Sequence, residues 1–376
     1  MARLGDYIEQ IRGVSYKPED VCTAQDKDAV AILRANNIQD DGLNFDDLIY
    51  VKQSKISSAQ YIKSGDIVVC ASSGSKHLVG KAAIAHDDMR ISFGAFCKVV
   101  RPQKMLPSYV GHYFQSPKYR NKISELAGGA NINNIRNEHI DELDIVVPNI
   151  DEQERIAIEL NKVCGLISLR KEQLAKLDQL VKSRFIEMFG DKDCPKCDVV
   201  KLSSLVKYQQ GTQVDIEKQS TTCAAGMKRF LRIIDYTQGN QEPRYVENRG
   251  TYVEEDTVCI VRYGTVGFVC KGYNGILANN LFKLDITSPN IDNDFLYCVL
   301  KYGTFENDIK ALSNGATMPA LSFKIMDTID ILLPSVEKQK EYVAFVEQTD
   351  KSELAIQQSL EQLETLKKSL MQKYFG

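Results

Sequence analysis

The chain has 376 residues, a net charge of −3 and 43% hydrophobic residues, enough for two or three domains with apolar cores. It has no run approaching the ~18 apolar residues that span a membrane, and residues 1–6 lack the apolar core of a signal peptide. We therefore expect a cytoplasmic protein whose ten cysteines, several of them inside apolar runs, are free thiols.

The charge is unevenly distributed. Residues 1–140 carry 18 basic against 15 acidic residues, and residues 192–326 carry 16 against 15. Residues 141–191 carry 7 basic against 11 acidic residues, and residues 327–376 carry 6 against 9. Because the acidic excess lies in two segments, the net charge of the whole chain does not exclude a nucleic-acid-binding surface on the other two.

The first predicted strands lie in residues 65–100. Residues 65–71 indicate a turn followed by a buried strand, and residues 79–85 and 96–100 indicate further strands. Between the first two of these strands, residues 72–77 are predicted to form a polar loop.

A helix and a second polar loop follow. Apolar residues at helical spacing predict one helix over residues 109–126, which Gly128 and Gly129 terminate. Residues 131–136 contain three asparagines and Arg136, and they are predicted to form a loop.

The next segment, residues 141–190, begins with a short apolar strand at residues 145–147. Pro148 ends that strand, because proline lacks the N–H of the ladder. About 37 residues from Glu152 then have the alternating three- and four-residue spacing of a coiled-coil a/d seam, which gives a rod of roughly 55 Å. The alternative is an ordinary surface helix in each of two domains, but a run this long without proline disfavours it.

The second half of the chain repeats the first, and residues 141–190 recur without a gap at a constant offset of 186 residues. Residues 255–261, 262–267 and 295–312 repeat the strand, the loop and the helix of the first half. The junction and long helix recur at residues 327–376. The residues that are identical 186 positions further on are Asp141, Asp144, Ile145, Pro148, Gln153, Leu174, Leu177, Leu180, Lys182, Ser183, Phe189 and Gly190.

Each seam has polar residues where the other is apolar, as in Arg170 against Ile356 and Lys367 against Val181. Two imperfect seams favour pairing of the helices with each other. The residues predicted to pair them are Leu160, Ile167, Leu174, Leu177, Val181, Ile356, Leu360, Leu363 and Leu370.

Enzyme motifs are incomplete. The segment from Gly74 to Ala82 has one residue too many for a phosphate-binding loop, and Ala82 replaces the magnesium-binding Ser/Thr. Cys194 and Cys197 have zinc-knuckle spacing without a second pair, so a linker turn is the preferred interpretation. We predict no catalytic residue, no metal and no cofactor on this chain.

The polar loops carry residue types that read base edges or hold phosphates. Solvated surface loops without a ligand are the competing interpretation. The candidate DNA-binding residues are Ser72, Ser73, Lys76, Lys81, Arg90, Asn133, Asn134, Arg136, Arg262, Tyr263, Thr265 and Lys271.

In its full length the chain resembles the DNA-specificity subunits of Type I restriction–modification systems. The resemblance rests on the junctions 145–153 and 331–339, on Phe-Gly at 189–190 and 375–376, and on segments 65–81 and 262–267. It implies an α+β fold with two pseudo-repeated globular target-recognition domains. These alternate with two long helices that pair as an antiparallel coiled coil.

The resemblance also implies domain boundaries and partners. Residues 1–140 and 192–326 would be the target-recognition domains, and residues 141–191 and 327–376 would each be a junction strand and spacer helix. The chain would be a non-catalytic reader of a bipartite sequence in double-stranded DNA. Two modification (methyltransferase) subunits, which bind S-adenosylmethionine, and restriction subunits would be its partners.

Two other functions remain open at this stage. The chain could be a coiled-coil scaffold that reads no DNA. It could also be the recognition subunit of another bipartite restriction–modification class, whose nuclease is fused to its methyltransferase partner.

Overall fold

The structure is a computed structural model in two compact units. Unit 1 comprises Met1–Glu172 and Gln357–Gly376, and unit 2 comprises Gln173–Ile356. The structure describes the chain except for Lys76 and residues 127–132, 238–241 and 314–319. It also leaves out the side chains of Asn133 and residues 310–313.

Unit 1 contains two four-stranded sheets. The first has the order β10-β8-β12-β2 and is antiparallel, and the second has the order β11-β4-β7-β3 with β11 parallel to β4. The strands of unit 1 are β1 (Ala2–Arg3), β2 (Ile8–Arg12), β3 (Val21–Cys22), β4 (Ala29–Leu33), β5 (Ile38–Gln39), β6 (Gly42–Leu43), β7 (Ile49–Lys52), β8 (Ile67–Cys70), β9 (Ser72–Ser73), β10 (Ala82–Ile84), β11 (Ile91–Phe93), β12 (Cys97–Pro102), β13 (Asn133–Asn134) and β14 (Asp144–Ile145).

Unit 2 repeats this arrangement. Its first sheet has the order β16-β23-β20-β21, and in its second, β18-β17-β22-β19, β17 and β22 are parallel. The strands of unit 2 are β15 (Asp198–Lys201), β16 (Val206–Gln210), β17 (Met227–Leu231), β18 (Arg244–Glu247), β19 (Tyr252–Val253), β20 (Cys259–Val261), β21 (Val269–Cys270), β22 (Gly275–Leu277), β23 (Leu281–Ile286) and β24 (Asp330–Leu333).

Unlike the strands, which each lie in one unit, the long helices α4 and α9 each have residues in both units. They contain 40 residues each. The helices are α1 (Pro107–Gln115), α2 (Pro117–Leu126), α3 (Asn137–Asp141), α4 (Ile150–Phe189), α5 (Ile233–Thr237), α6 (Asn293–Tyr302), α7 (Phe305–Ser313), α8 (Phe323–Met326) and α9 (Val336–Phe375). No helix in the described ranges is both long and apolar enough to cross a membrane.

The two sheets of each unit share one apolar core. In unit 1, Val68 and Val99 of the first sheet cluster with Leu33 and Phe93 of the second. In unit 2 the same kind of cluster joins β20 and β23 to β17 and β22. The alternation of side chains along a strand leaves the other face of each first sheet available for helices.

Helices cover that other face. In unit 2, Phe185 and Phe189 of α4 and Tyr342 of α9 belong to one buried cluster with Phe295 of α6. In unit 1, the ring of Phe375 at the end of α9 lies 5.2 Å from the ring of Tyr109 in α1. The end of each long helix is therefore anchored in the core of a globular segment.

The predicted helix over residues 109–126 is wrong in one respect, since the structure has two helices there. Ser116 is extended, with φ −71° and ψ 148°, and separates α1 from α2. Pro117 disfavours helical geometry at the preceding residue, which explains the break. The repeat of this helix in unit 2 is also split, between Tyr302 and Phe305.

The junction strands are short. β14 is a two-residue strand paired with β1, whereas β24 pairs over four residues with β15. Residues 146–147, predicted as strand, lie beyond β14.

The repeated glutamine fixes each junction. Gln153 is buried, accepts a hydrogen bond from the N–H of Leu106 (2.9 Å) and donates to the carbonyl of Pro148 (2.8 Å). Leu106 is the N-cap residue of α1, so one side chain joins the start of α4 to the start of α1.

Gln339 has the same role in unit 2. It accepts from the N–H of Asp292 (2.9 Å), the N-cap residue of α6, and donates to the carbonyls of Pro334 and Asn290 (both 2.8 Å). The glutamines are 186 positions apart, and so are the N-cap residues that they contact. The repeat in the sequence is therefore matched by a repeat of hydrogen bonds.

Within each unit the long helices touch. In unit 1, Arg170 Nε donates to Ser359 Oγ (3.2 Å), and the guanidinium of Arg155 lies 5.8 Å from the ring of Tyr374. In unit 2, Tyr342 donates to the carbonyl of Val181 (3.0 Å). Residue numbers rise along α4 as those of their partners fall along α9.

Candidate nucleic-acid interface

The two polar loops predicted in the first half of the chain meet in a ribbon. Strand β9 pairs antiparallel with β13, with Asn133 opposite Ser73 and Asn134 opposite Ser72. Both loop predictions are wrong at these four residues, because backbone pairing across the fold makes them strands despite low β-propensity. Ser72 and Ser73 are partly exposed, and Asn134 is exposed.

The ribbon is fixed to the first sheet at its base. The N–H of Ile135 donates to the carbonyl of Ala71 (2.8 Å), which follows β8 directly. Ile135 is buried, while Arg136 beside it is exposed and is the N-cap residue of α3. The buried residue thus anchors a segment whose neighbouring side chains face solvent.

A third segment joins the ribbon, the turn from Gly94 to Cys97. The carbonyl of Phe96 accepts hydrogen bonds from the N–H groups of Ala71 (2.9 Å) and Ser72 (3.0 Å). We call residues 71–73, 94–97 and 133–136 polar surface 1. The turn is not among the candidates from the sequence, because these tertiary hydrogen bonds, which no local pattern specifies, place it in the surface.

Unit 2 builds the same arrangement around Arg262. The N–H of Arg262 donates to the carbonyl of Asn280 (2.8 Å), and the carbonyl of Arg262 accepts from Leu321 (3.1 Å). These bonds correspond to those of Phe96 and Ile135 in unit 1. We call residues 261–265, 278–281 and 320–321 polar surface 2.

The Arg262 guanidinium is held in place by its surroundings. Its Nε donates to the carbonyl of Leu321 (3.1 Å), and its plane lies 4.7 Å from the ring of Tyr263 and 5.4 Å from that of Phe282. Among the described residues its terminal nitrogens have no hydrogen-bond partner. An arginine oriented in this way can offer two parallel donors to a phosphate or to a guanine edge.

One glycine near each polar surface lets the backbone pass close to a helix. Gly80 has φ +80°, and a Cβ there would lie 2.6 Å from Cγ2 of Ile123 in α2. Gly267 has φ +83°, and its Cβ would meet Ile309 of α7 at 3.2 Å. A side chain at either position would be strained by both backbone and packing.

The family follows from the sequence match. Residues 1–179 and 196–365 match the family model described as Type I restriction modification DNA specificity domain. The chain belongs to this family. Its two matched segments contain polar surfaces 1 and 2, respectively.

Several curated proteins of the specificity-subunit family are similar. The Type I restriction enzyme StySPI specificity subunit of Salmonella potsdam is 29% identical over 401 residues, covering 97% of this chain and 86% of that protein. The EcoKI specificity subunit of Escherichia coli K12 is 40% identical over 173 residues, covering 46% of this chain and 37% of that one.

Solved structures of this family share the fold. The crystal structure of a Type I restriction–modification S subunit from M. genitalium has a TM-score of 0.57 at 18% identity, over 100% of this chain and 95% of that chain. A second solved structure addresses complex assembly and conformational transition of the type I R-M system. Its matching chain has a TM-score of 0.54 at 17% identity, over 100% of this chain and 99% of that chain.

The remaining candidate residues of unit 1 have varied surroundings. Lys81 is largely buried and pairs with Asp40 (3.5 Å), whereas Arg90 is exposed and donates to Gln53 (2.9 Å), which follows β7 of the second sheet. Lys76 and the side chain of Asn133 lie outside the described residues. The structure therefore places Ser72, Ser73, Asn134 and Arg136 on one surface.

In unit 2, Thr265 is exposed two residues beyond Tyr263 in polar surface 2. Lys271 instead pairs with Asp294 of α6 (2.5 Å), and its ammonium lies 4.9 Å from the ring of Tyr297. Its charge is therefore already compensated within the unit.

The thiols beside polar surface 1 are buried. Burial raises the pKa of Cys70 to about 11 and that of Cys97 to about 12, so both remain protonated thiols at neutral pH. In the part of the chain that the structure describes, no group of three His, Cys, Asp or Glu side chains could hold a metal ion.

The nine predicted seam residues vary in burial. Leu160, Ile167, Val181, Leu360 and Leu370 are buried. Leu174, Leu177, Ile356 and Leu363 are partly buried. Their role in pairing the two helices over their full length stays a prediction, as do the four domain boundaries.

Proposed function

We propose that this chain is the non-catalytic DNA-recognition subunit of a Type I restriction–modification system, and that it reads a bipartite target with one unit for each half. The observation that carries the proposal is a pair of corresponding backbone hydrogen bonds in polar surfaces 1 and 2. Ala71 to Phe96 and Ile135 to Ala71 in unit 1 match Arg262 to Asn280 and Leu321 to Arg262 in unit 2. A surface whose backbone is fixed while its side chains vary is suited to reading different sequences.

The two half-sites should differ, because the side chains differ. Polar surface 1 presents Asn134 and Arg136, and polar surface 2 presents Arg262 and Tyr263. Arginine pairs with the O6 and N7 of guanine, asparagine pairs with adenine, and both also contact phosphates.

The long helices would pair as an antiparallel coiled coil and act as a spacer between the half-sites. The contacts of Arg170 with Ser359 and of Tyr342 with Val181 support antiparallel pairing, as does the burial of five of the nine seam residues. Forty residues at 1.5 Å each make a rod of about 60 Å, longer than one turn of DNA at about 34–36 Å.

The helices would also dock two modification subunits, and restriction subunits would join them. Ile158, Leu166 and Leu169 of α4 are about half exposed. At 3.6 residues per turn they lie within about 80° of one another around the helix, an apolar face suited to a protein partner. S-adenosylmethionine would be bound by the modification subunits rather than by this chain.

The test is methylation by the complex of this chain with its modification subunits. Arg262→Ala should cost about 1–3 kcal/mol in discrimination or binding at one half-site, measured through methylation of the target. The specificity for the other half-site should be unchanged. Lys201→Ala removes a cation of unit 2 outside polar surface 2 and should have no effect. A complex whose Arg262→Ala variant methylates like the wild type would contradict the DNA-reading role and favour a scaffold.

A further inference from the structure

The turn before β12 carries an exposed aromatic ring, which no other described residue of polar surface 1 provides. Phe96 is 69% exposed, compared with 46% for Phe45 in the same unit. Its side chain projects from polar surface 1, whose other exposed members are Ala95, Asn134 and Arg136. A single exposed apolar residue is common on protein surfaces, so exposure alone would indicate nothing.

The backbone of Phe96 is positioned by three hydrogen bonds. The N–H of Cys97 closes the turn on the carbonyl of Gly94 (2.8 Å), and the Phe96 carbonyl accepts from Ala71 and Ser72. Cys97 begins a central strand of the first sheet and is buried. The exposed ring therefore lies on a rigid support next to the β9–β13 ribbon.

The equivalent position in unit 2 carries a different type of side chain. The N–H of Leu281 closes its turn on the carbonyl of Ala278 (3.0 Å), and Asn280 makes the hydrogen bond to Arg262 that corresponds to those of Phe96. Among the described residues, Oδ1 of Asn280 has no hydrogen-bond partner. One backbone position thus carries an exposed aromatic ring in one unit and, in the other, an amide whose oxygen is buried.

We propose that Phe96 is a specificity-determining residue, which contacts the 5-methyl group of a thymine in the half-site read by unit 1. Apolar side chains distinguish thymine in the major groove by that methyl group, whereas amides pair with adenine. This inference rests on the proposed function of the chain as a DNA reader. It specifies one residue that reads the target and the base that this residue contacts.

The experiment uses the full chain in complex with its modification subunits. The wild-type motif is first mapped on genomic DNA, and methylation rates are then measured on oligonucleotides in which deoxyuridine replaces each thymidine of that half-site. Loss of the methyl group at one position should slow the wild type about fourfold, the value expected for one buried methyl group. Phe96→Ala should be insensitive to the same replacement.

Genomic mapping of the variant gives a second readout. Phe96→Ala should methylate sites with another base at that position, with discrimination reduced roughly tenfold, and should retain the other half-site. Phe45→Ala removes another exposed ring of unit 1 and should leave the motif unchanged. The melting temperature of both variants should equal that of the wild type, since both rings are substantially exposed.

The outcomes separate the two levels of the proposal. Bipartite methylation by the wild type with an unchanged motif in Phe96→Ala would overturn the role of Phe96 and leave the proposed function intact. Uniform loss of methylation at an unchanged melting temperature would make Phe96 a contact without specificity and also overturn it. Absence of sequence-dependent methylation by the wild-type complex would overturn both.

Discussion

Gln153 and Gln339 show how single residues determine the repeated architecture. Each is buried at the start of a long helix and bridges backbone groups that would otherwise lack partners there. A buried donor or acceptor without a partner costs more than the hydrogen bond itself contributes. The glutamines therefore act on stability and on the angle at which each long helix leaves its globular segment.

Replacing Gln339 with leucine should destabilise the protein. The N–H of Asp292 and the carbonyls of Asn290 and Pro334 would lose their partner, so we expect a loss of at least about 2 kcal/mol in the free energy of unfolding. Urea denaturation measures this loss. Gln362→Leu, an exposed glutamine in the same helix, should change the free energy by less than about 0.5 kcal/mol.

His112 should make the protein sensitive to acid. It is buried, its Nε2 donates to Asn161 Oδ1 (2.8 Å), and burial together with the nearby Lys367 lowers its pKa to about 4. The unfolded state, with a pKa near 6.5, binds a proton that the folded state does not. Stability contributed by neutral His112 is therefore present above pH 6.5 and is lost as the pH falls towards 4.

The magnitude follows from the same two pKa values. Between pH 7.5 and pH 5 the wild type should lose about 2 kcal/mol more stability than the His112→Gln variant, as measured by urea denaturation at each pH. Parallel pH profiles for the two proteins would show that protonation of His112 is not coupled to folding.

At the level of elements, the contact of α4 with α9 in unit 2 centres on Tyr342. Its side chain is fully buried, and its ring lies 5.4 Å from that of Phe185 and 5.5 Å from that of Phe189. Burial raises the pKa of Tyr342 well above its ordinary value, consistent with a hydroxyl that donates to the carbonyl of Val181. These contacts join the long helices to the globular core.

Tyr342→Ala should therefore lower the free energy of unfolding by about 3–5 kcal/mol, and Tyr342→Phe by about 1 kcal/mol. Calorimetry can measure both. Leu354→Ala, a residue 61% exposed on the same helix, provides the control and should be nearly neutral. Equal effects of Tyr342→Ala and Leu354→Ala would contradict the importance of this contact.

Local patterns in the sequence predicted some elements well. Strands β8, β10 and β12 and both long helices follow from apolar runs and seam spacing, which are properties of neighbouring residues. The break at Ser116 within residues 109–126 also has a local cause, because Pro117 disfavours helical geometry at the residue before it.

The candidate surfaces were predictable only in part. The β9–β13 ribbon joins Ser72 to Asn134, which are 62 positions apart, and no local pattern specifies that pairing. The turn at Phe96 was missed because its contribution depends on tertiary hydrogen bonds to Ala71 and Ser72. Candidate residues chosen by type alone included Lys271, whose charge is paired with Asp294.

At the scale of the whole molecule, the chain is two copies of one plan, with the two long helices divided between the units. Each unit contains the first half of one long helix and the second half of the other. A chain built of two such copies is suited to a target with two half-sites.

If the paired helices set the spacing, lengthening both should lengthen the gap in the target. Seven residues inserted after Glu172 and seven after Ile356 add about 10.5 Å, which corresponds to roughly three base pairs. The methylated motif should then gain about three unread base pairs. Insertion into one helix alone should abolish methylation, and an unchanged gap after both insertions would exclude the spacer role.

The most direct test of the DNA-reading role is to map methylated adenines in genomic DNA from cells that express this chain with its modification subunits. Cells that lack only this chain provide the comparison. The account predicts a methylated motif in two separated parts that disappears when the chain is absent. Methylation that is the same with and without the chain would contradict it.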